Sequence, residues 1–335
     1  MTQPPLLVTA SPHLAAPDTT PRIMWTVAAS LVPVLAASAW FFGVSALLVV
    51  VAATIGAVLT ERWLGSRAGS LADGSAAITG LLLGLTLPAG LPLWMAVVGG
   101  AFGIAVGKLI FGGLGQNVFN PALLARAFLQ AAFPTALTTW PLPGGPFLAL
   151  KGDTFALPLM SAQAPDVVTG ATPLGLMKFE HAGTDLTALM LGTTGGSLGE
   201  TSGLLILLCG GYLAWRNYLN WRIPISIILS VAALAAGLHL LDAARYPGVP
   251  FMLFSGGLML GAVYMATDPV TSPMTAKGCW IFGAGIGALV VVIRIWGGLA
   301  EGVMYAILLM NALVPFINRA TQPRVFGTRV AGRSS

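Results

Sequence analysis

Charged residues are scarce in this chain. They make up 8% of its 335 positions, whereas a soluble domain carries about 25%. Since charged side chains are needed to cover a water-facing surface, this share excludes a soluble enzyme and a disordered linker. Hydrophobic residues reach 56% and the mean hydropathy is +0.86, which indicates an integral membrane protein.

Cysteine is also rare, with only Cys209 and Cys279, both inside apolar runs. Two thiols supply neither a disulfide framework nor the four ligands of an iron–sulfur cluster. The net charge of +5 does not indicate a nucleic-acid binder, because the basic residues are scattered and gather at the ends of apolar runs. At those places they indicate membrane topology.

Ten apolar runs have about the 20 residues that a spanning helix requires. Pro88, Pro92 and paired glycines shorten or break several of them, which predicts half-helices buried among neighbouring helices. The runs lie at 23–42, 44–62, 74–90, 92–112, 120–135, 201–217, 223–241, 249–266, 278–297 and 300–318. The fold class predicted is an all-α polytopic membrane protein with ten transmembrane helices.

The basic residues predict the orientation. If ten spans alternate, one side receives nearly all of them, and that side is cytoplasmic. The first 22 residues lack the pattern of a cleavable signal peptide. We therefore expect a multi-pass protein of the bacterial inner membrane with both termini in the cytoplasm. The residues concerned are Arg22, Arg62, Arg67, Arg216, Arg222, Lys277, Arg319, Arg324, Arg329 and Arg333.

One long segment outside the spans, residues 136–200, is expected on the outer face. It holds two basic and five acidic residues, and its length is unusual for a plain connector, so it indicates function. The predicted organisation is a cytoplasmic tail (1–22), a five-helix repeat (23–135), this outer loop (136–200), a second five-helix repeat (201–318) and a basic cytoplasmic tail (319–335).

The two sets of five spans share short strings. GGL at 112–114 precedes NPAL at 120–123, and GGL at 297–299 precedes NAL at 311–313. Because five is odd, duplicated halves have inverted topology, which is typical of transporter folds with sites near the membrane midplane.

The outer loop contains the string DVVTGAT from Asp166 to Thr172. A turn is one interpretation of these residue types. The string also resembles the sequence at which flavin transferase joins the phosphate of FMN to a threonine hydroxyl. Thr172 is then the acceptor, and the recognition elements are Asp166, Thr169, Gly170 and Ala171.

Two further strings predict helix starts. Asn120–Pro121 has the cap and the first helical residue that open a helix, and Ser197 with Glu200 has the spacing of a capping box. Among charges at membrane depth, Lys108 and Arg294 are expected to extend to an interface, since they lie near span ends.

A second cofactor or ion site is predicted from polar groups inside the spans. Arg126 has a carboxylate or a flavin oxygen as its candidate partner. Asp268 follows Thr267 and precedes a proline, so it combines a carboxylate with freed carbonyls, which suits a small cation or a polar ring edge. A helix-ending aspartate is the ordinary alternative. With Asn120, these residues form the candidate set.

Over nearly the whole chain, five strings in order resemble the family of D subunits of the Rnf ion-translocating electron-transport complex. They are GGLGQNVFNPA (112–122), DVVTGAT (166–172), GSLGETS (196–202), MATDPVTSP (265–273) and EGVMYAILLMNALVP (301–315). The resemblance implies covalent FMN on Thr172, a second noncovalent riboflavin, and two inverted five-helix repeats. It also implies a multi-subunit complex that passes electrons between ferredoxin and NAD and moves Na+ or H+.

Two other functions remain open from the sequence. The B subunit of the sodium-translocating NADH:quinone reductase is the nearest related family, but it usually has a longer N-terminal extension. A channel or secondary transporter without redox function also has broken helices and inverted repeats. That class does not explain the DVVTGAT string.

Overall fold

The protein is all-helical in the parts that its computed structural model describes, which are residues 18–65, 70–158, 170–180, 182–200, 202–243 and 245–323. These ranges contain helices and loops and no β-strand, so the predicted all-α class is confirmed. In chain order the helices are α1 (Thr20–Phe42), α2 (Val44–Leu64), α3 (Ser75–Leu85), α4 (Leu93–Ile104), α5 (Pro121–Ala132), α6 (Pro134–Thr138), α7 (Pro173–Gly175), α8 (Leu186–Leu191), α9 (Gly203–Trp215), α10 (Arg222–Leu241), α11 (Val249–Phe254), α12 (Leu258–Leu260), α13 (Ala276–Trp296) and α14 (Val303–Thr321).

Five of these helices are long and apolar enough to cross a bilayer: α1, α2, α10, α13 and α14. A helix rises about 1.5 Å per residue, so a hydrocarbon core of about 30 Å needs about 20 residues. Three further apolar helices are shorter, at Ser75–Leu85, Leu93–Leu109 and Gly203–Trp215. The second of these is α4 together with the π-helical turn Ala105–Leu109 that continues it. Each of the ten predicted runs contains a helix, but only five have the full length, and the ten-span count stays a prediction.

Helix starts agree with the sequence at one site and differ at another. Asn120 caps α5, and its Oδ1 accepts the amides of Ala122 at 3.0 Å and Leu123 at 3.3 Å. The capping box predicted at Ser197 and Glu200 is wrong.

Helix α9 begins later, at Gly203, and its cap is Ser202, whose Oγ accepts the amide of Leu205 at 3.2 Å. The Ser197 hydroxyl instead donates to the Glu200 carboxylate at 2.7 Å. Both side chains are therefore used in a contact with each other, and neither caps the helix.

Small residues bring helices together in both halves of the chain. In the first half α2 packs on α4, and a Cβ added to Gly56 would lie 2.2 Å from the carbonyl oxygen of Val97. In the second half α10 packs on α13, and a Cβ added to Gly283 would lie 2.6 Å from the Cβ of Ser226. Such close approach is how membrane helices gain packing energy, since lipid is as apolar as their side chains.

The apolar run at 249–266 is not one continuous helix. Helix α11 ends at Phe254, and α12 begins at Leu258 and continues as a π-helical turn, Gly261–Met265. Arg294 of α13 donates from Nη1 to the carbonyl of Met252 at 2.6 Å and from Nη2 to that of Ser255 at 2.9 Å. The prediction that Arg294 extends to an interface is wrong, because it is 4% exposed and bonds carbonyls beside this break.

Lys108 is likewise buried and paired. It is 3% exposed, and its Nζ donates to Glu61 Oε1 at 2.6 Å and to Ser75 Oγ at 2.5 Å. The expected extension of Lys108 to an interface is also wrong. These partners come from other helices, Glu61 from the end of α2 and Ser75 from the start of α3. The position of Lys108 within its own span could therefore not indicate them.

The ion pair between Lys108 and Glu61 gives a first prediction. We expect Lys108→Met alone to lower the free energy of unfolding by about 3–5 kcal/mol, because it leaves Glu61 buried without its cation. The double variant Lys108→Met/Glu61→Leu should recover most of that loss, since no unpaired charge remains. Denaturation in detergent micelles measures both. Lys277→Met, at an exposed lysine, is the control, and a single variant as stable as the wild type would contradict the pairing.

Candidate functional site

Thr172 lies at the edge of a cavity that opens beside the outer-loop residues, which we call the outer cavity. Its empty space, including the open mouth, is about 710 Å³. The residues on which its chemistry depends are Arg126, Trp140, Thr172, Glu200, Glu301 and Tyr305.

The chain around Thr172 is held by backbone hydrogen bonds. The amide of Gly170 donates to the carbonyl of Trp140 at 3.0 Å. Thr172 then caps the short helix α7, because its Oγ1 accepts the amide of Gly175 at 3.1 Å. Ala171 is exposed and Thr172 is partly exposed, so the hydroxyl is accessible from the mouth of the cavity. Asp166 and Thr169, the other predicted recognition residues, lie outside the described residues.

Arg126, Glu200 and Glu301 line this cavity, and Arg294 lies close to Gly256, another of its lining residues. Arg126 Nη2 lies 3.9 Å from Glu301 Oε2, and Glu301 Oε1 accepts the amide of Gly257 at the helix break. Glu200 is the second carboxylate, and Arg294 approaches Gly256 from the other side of the break. The structure thus supplies the carboxylate partner that was one alternative for Arg126.

Some donors of these arginines are unused. Within the described ranges, Arg126 Nη1 and Arg294 Nε are buried and have no hydrogen-bond partner. A buried donor without a partner costs free energy, so such groups generally indicate a ligand, a water or an ion that is bound there. Arg126 Nη1 is therefore a candidate contact for an anionic or carbonyl oxygen in the outer cavity.

Burial raises the pKa of Glu200 to about 8, and the negative charge of Glu301 contributes in the same direction. The Ser197 hydroxyl and the two arginines lower the pKa, but by less than burial raises it. At neutral pH Glu200 is then mostly protonated. Because Glu200 adds no negative charge in that form, the two guanidinium groups are less fully compensated, which favours a negatively charged ligand.

A second cavity, the inner cavity, lies between α3, α5 and the turn that follows Met265. Its empty space, with the open part included, is about 850 Å³, and its lining is mostly apolar. Asn120, Thr267 and Asp268 are among its polar residues. Few polar groups in an apolar cleft are typical of a site for an organic cofactor.

Each of these three polar residues also bonds to the protein. Asn120 Nδ2 donates to the carbonyl of Met265 at 3.1 Å, and Thr267 Oγ1 donates to that of Val263 at 2.5 Å. Asp268 Oδ1 accepts the amide of Val270 at 3.1 Å, so it closes a turn. Its Oδ2 accepts the hydroxyl of Thr271 at 3.2 Å, so the ordinary role of a helix-ending aspartate is present.

The predicted second-site set is divided between the two cavities. Asn120, Thr267 and Asp268 line the inner cavity, but Arg126 lines the outer one. Six residues along α5 separate Arg126 from Asn120 by about 9 Å. The four residues therefore do not line one common cavity, and their grouping in one site stays a prediction.

The roles of Glu200, Glu301, Trp140 and Lys178 were not predicted from the sequence. The spacing of Ser197 and Glu200 predicts only a cap for Glu200, and the sequence pattern gives no partner for Glu301, Trp140 or Lys178. The glycine pair Gly256–Gly257 was the available signal, since it marks the helix break that both glutamates approach. As for metals, the described residues contain no group of three or more His, Cys, Asp or Glu side chains that could hold an ion.

The chain is similar to a family and to individual proteins of known name. The model of the NQR2, RnfD, RnfE family matches residues 7–327. The D subunit of the ion-translocating oxidoreductase complex of Stutzerimonas stutzeri is 44% identical over 93% of both chains. The D subunit of the proton-translocating ferredoxin:NAD(+) oxidoreductase complex of Clostridium ljungdahlii is 41% identical over 96% of both. Its counterpart in the Na(+)-translocating ferredoxin:NAD(+) oxidoreductase complex of Acetobacterium woodii is 41% identical, over 96% of this chain and 95% of the relative.

The raised pKa of Glu200 predicts a dependence of stability on pH. Between the ordinary value of 4.5 and about 8, the folded state binds more protons than the unfolded state, so the free energy of unfolding falls as pH rises. Glu200→Gln cannot ionise and should lose less thermal stability than the wild type between pH 5 and pH 8. The thermal unfolding midpoint in detergent is the measurement.

Glu180→Gln, at an exposed glutamate of the same loop, is the matched control and should follow the wild type. Equal pH dependence in Glu200→Gln and the wild type would show that Glu200 ionises as a surface carboxylate does.

Proposed function

The chain belongs to the NQR2, RnfD, RnfE family, and we propose that it is the membrane-embedded D subunit of an ion-translocating ferredoxin:NAD+ oxidoreductase complex. It relays electrons through a flavin on Thr172 and is a part of a redox-driven translocase, not a complete enzyme. The observation that carries this proposal is the position of Thr172, a partly exposed residue that lines the same cavity as Arg126, whose Nη1 has no partner among the described residues.

The residues of the outer cavity fit covalently bound FMN. FMN would be held by a phosphoester between its phosphate and Thr172 Oγ1. A flavin transferase that recognises Asp166, Thr169, Gly170 and Ala171 would make the bond from a flavin dinucleotide: the hydroxyl attacks the flavin-side phosphorus and gives up its proton, the P–O–P bond breaks, and the nucleoside monophosphate leaves. The two guanidinium groups, which are less fully compensated while Glu200 is protonated, favour an anionic ligand. Arg126 Nη1 is free to donate to one of its oxygens, while Glu301 holds the other end of the guanidinium.

When bound, FMN supplies electron transfer in steps of one or two electrons. The protein contributes the tether, the position and the charge. Thr172 prevents loss of the flavin, and Trp140 and Tyr305 give aromatic surface near the ring. The raised pKa of Glu200 keeps this carboxyl mostly protonated at neutral pH. A negative charge on the bound group is then not added to a negative charge on Glu200.

The inner cavity is the proposed site of a second, noncovalent riboflavin. Its mostly apolar lining suits a flavin ring, and Asn120, Thr267 and Asp268 are the polar residues that we propose for the polar edge of that ring. Asn120 is also the cap of α5, and the partial positive charge of the helix dipole at that end favours such an edge. An ion path along the same residues is the second use of this cavity.

The ten-helix fold in two inverted repeats is part of the proposal. In each half the second helix packs on the fourth, α2 on α4 and α10 on α13, which supports a duplication if α11 and α12 count as one broken helix. A buried cation also precedes each GGL string, Lys108 in one half and Arg294 in the other. Inverted halves put these cations on opposite sides of the inner membrane, with both termini in the cytoplasm.

The partners are the other subunits of the complex, the lipid bilayer, the flavin transferase and a transported ion. Relatives named for protons and for Na+ are equally identical to this chain, at 41%. Overall similarity therefore does not separate H+ from Na+, and the choice depends on local residues or on another subunit.

Thr172→Ala tests the covalent flavin. In cells that express the flavin transferase, the wild-type band should fluoresce yellow-green after denaturing electrophoresis, and Thr172→Ala should lose that fluorescence, because no hydroxyl remains to form the phosphoester. Thr193→Ala, at an exposed loop threonine outside the motif, should keep it. A fluorescent Thr172→Ala band or a dark wild-type band would overturn the assignment.

Ile78→Trp tests the inner cavity. Ile78 lines that cavity and is only partly buried, so the larger ring should occupy ligand space. We expect the amount of noncovalent flavin released by acid to fall at least about fivefold, which corresponds to the lower end of the free-energy cost of one overpacked side chain. The covalent fluorescence should stay at the wild-type level. Ile78→Ala is the control that keeps the space open. Wild-type amounts of released flavin in Ile78→Trp would contradict this site.

A further inference from the structure

Lys178, six residues after Thr172, makes the densest set of polar contacts around the outer cavity. Its Nζ lies within hydrogen-bond distance of four backbone carbonyl oxygens, 3.3 Å from Ile293, 3.0 Å from Arg294, 2.5 Å from Gly297 and 2.8 Å from Leu299. An ammonium has three donors, so the four carbonyls share them. These contacts replace the water that a loop lysine usually has, and burial accordingly lowers the pKa of Lys178.

The four carbonyls belong to the end of α13 and the turn after it. The last carbonyls of a helix have no partner within the helix, and the helix dipole puts partial negative charge at that end. A cation there is favoured, and Lys178 supplies one from a different segment of the chain. The side chain therefore joins two parts of the protein that are more than 100 residues apart in sequence.

Both of these parts contribute residues to the lining of the outer cavity. Thr172 belongs to one part, and Leu299 and Glu301 belong to the other. Leu174 adds an apolar contact, since it is buried against Gly256. On the N-terminal side the segment is held by the bond from Gly170 to Trp140. Lys178 is the charged attachment on its C-terminal side.

We infer that Lys178 is a positioning residue that fixes the segment carrying Thr172 on the end of α13, and so sets the place of the group attached to Thr172 relative to Arg126 and Glu301. This inference rests on the proposed function for the attached flavin. The attachment of the segment itself does not depend on a flavin. Two separate measurements can therefore test the two statements.

The experiment uses the assembled complex in lipid nanodiscs with the wild type, Lys178→Met, Lys178→Arg and Lys277→Met. Methionine keeps the length of the side chain without donors, and arginine keeps the charge and several donors. Lys277 is a matched control, an exposed lysine at the other end of the same helix α13.

The first measurement is hydrogen exchange of the peptide that covers residues 170–180. Its amides include that of Leu176, which donates to the carbonyl of Thr172 at 2.9 Å. We expect exchange to accelerate about tenfold or more in Lys178→Met, the factor for loss of one hydrogen bond to a charged group. Lys178→Arg and Lys277→Met should match the wild type, and peptides of α14 should be unchanged in all variants.

The second measurement is polarised fluorescence of the covalent flavin. Lys178→Met should keep a fluorescent band within about twofold of the wild type, because attachment depends on the motif, but its anisotropy should fall by about half as the segment gains motion. Lys178→Arg should restore the anisotropy. Unchanged exchange and anisotropy in Lys178→Met would overturn the inference, and so would loss of the covalent band in that variant alone.

A dark wild-type band would contradict the proposed function and leave the exchange result as the test of the attachment. If Lys178→Met does not assemble, Lys178→Ala, which also removes every donor and leaves the smallest side chain, takes its place in both measurements. Exchange in Lys178→Ala that equals the wild type would then overturn the inference.

Discussion

The structure around the outer cavity depends on how Arg294 satisfies a break in a helix. In an apolar surrounding every backbone carbonyl and amide needs a partner, so a helix can be interrupted only where other groups replace its internal bonds. Arg294 donates to the carbonyls of Met252 and Ser255, and Glu301 accepts the amide of Gly257. Both side chains replace backbone hydrogen bonds that are missing at the break, so a cation and an anion are fixed next to each other. The other residues of the site are arranged around this pair.

The other elements of the site add to that base in a definite order. Helix α5 brings Arg126 to Glu301, and the turn before α9 brings Glu200, whose pKa is raised by burial. The outer loop then places Thr172 at the mouth of the same cavity, on a segment that Lys178 fastens to α13. A mostly apolar helical body thus acquires a polar cavity beside its long loop, and the attached group would lie where charge is already arranged.

Local signals made part of this architecture predictable. The cap at Asn120 needs only its own helix start, and the helical class follows from composition and apolar runs. The burial of Lys108 and Arg294 was not predictable, because their partners come from other helices and position along a span says nothing about them. Ser197 and Glu200 fit a capping spacing, but a distant carboxylate and two arginines give Glu200 another environment. Arg126 and Asn120 share a helix, yet they face different cavities, which only the tertiary packing decides.

The most direct test of this account is a cryo-EM map of the complex purified from a host that makes the flavin transferase. We expect density for a flavin ring that is continuous with the Thr172 side chain and lies within hydrogen-bond distance of Arg126, beside Glu301 and the break at 255–257. Continuous density that leads from Thr172 away from this cavity, with water in contact with Arg126, would contradict the central claim that the broken helix and its charges form the flavin site.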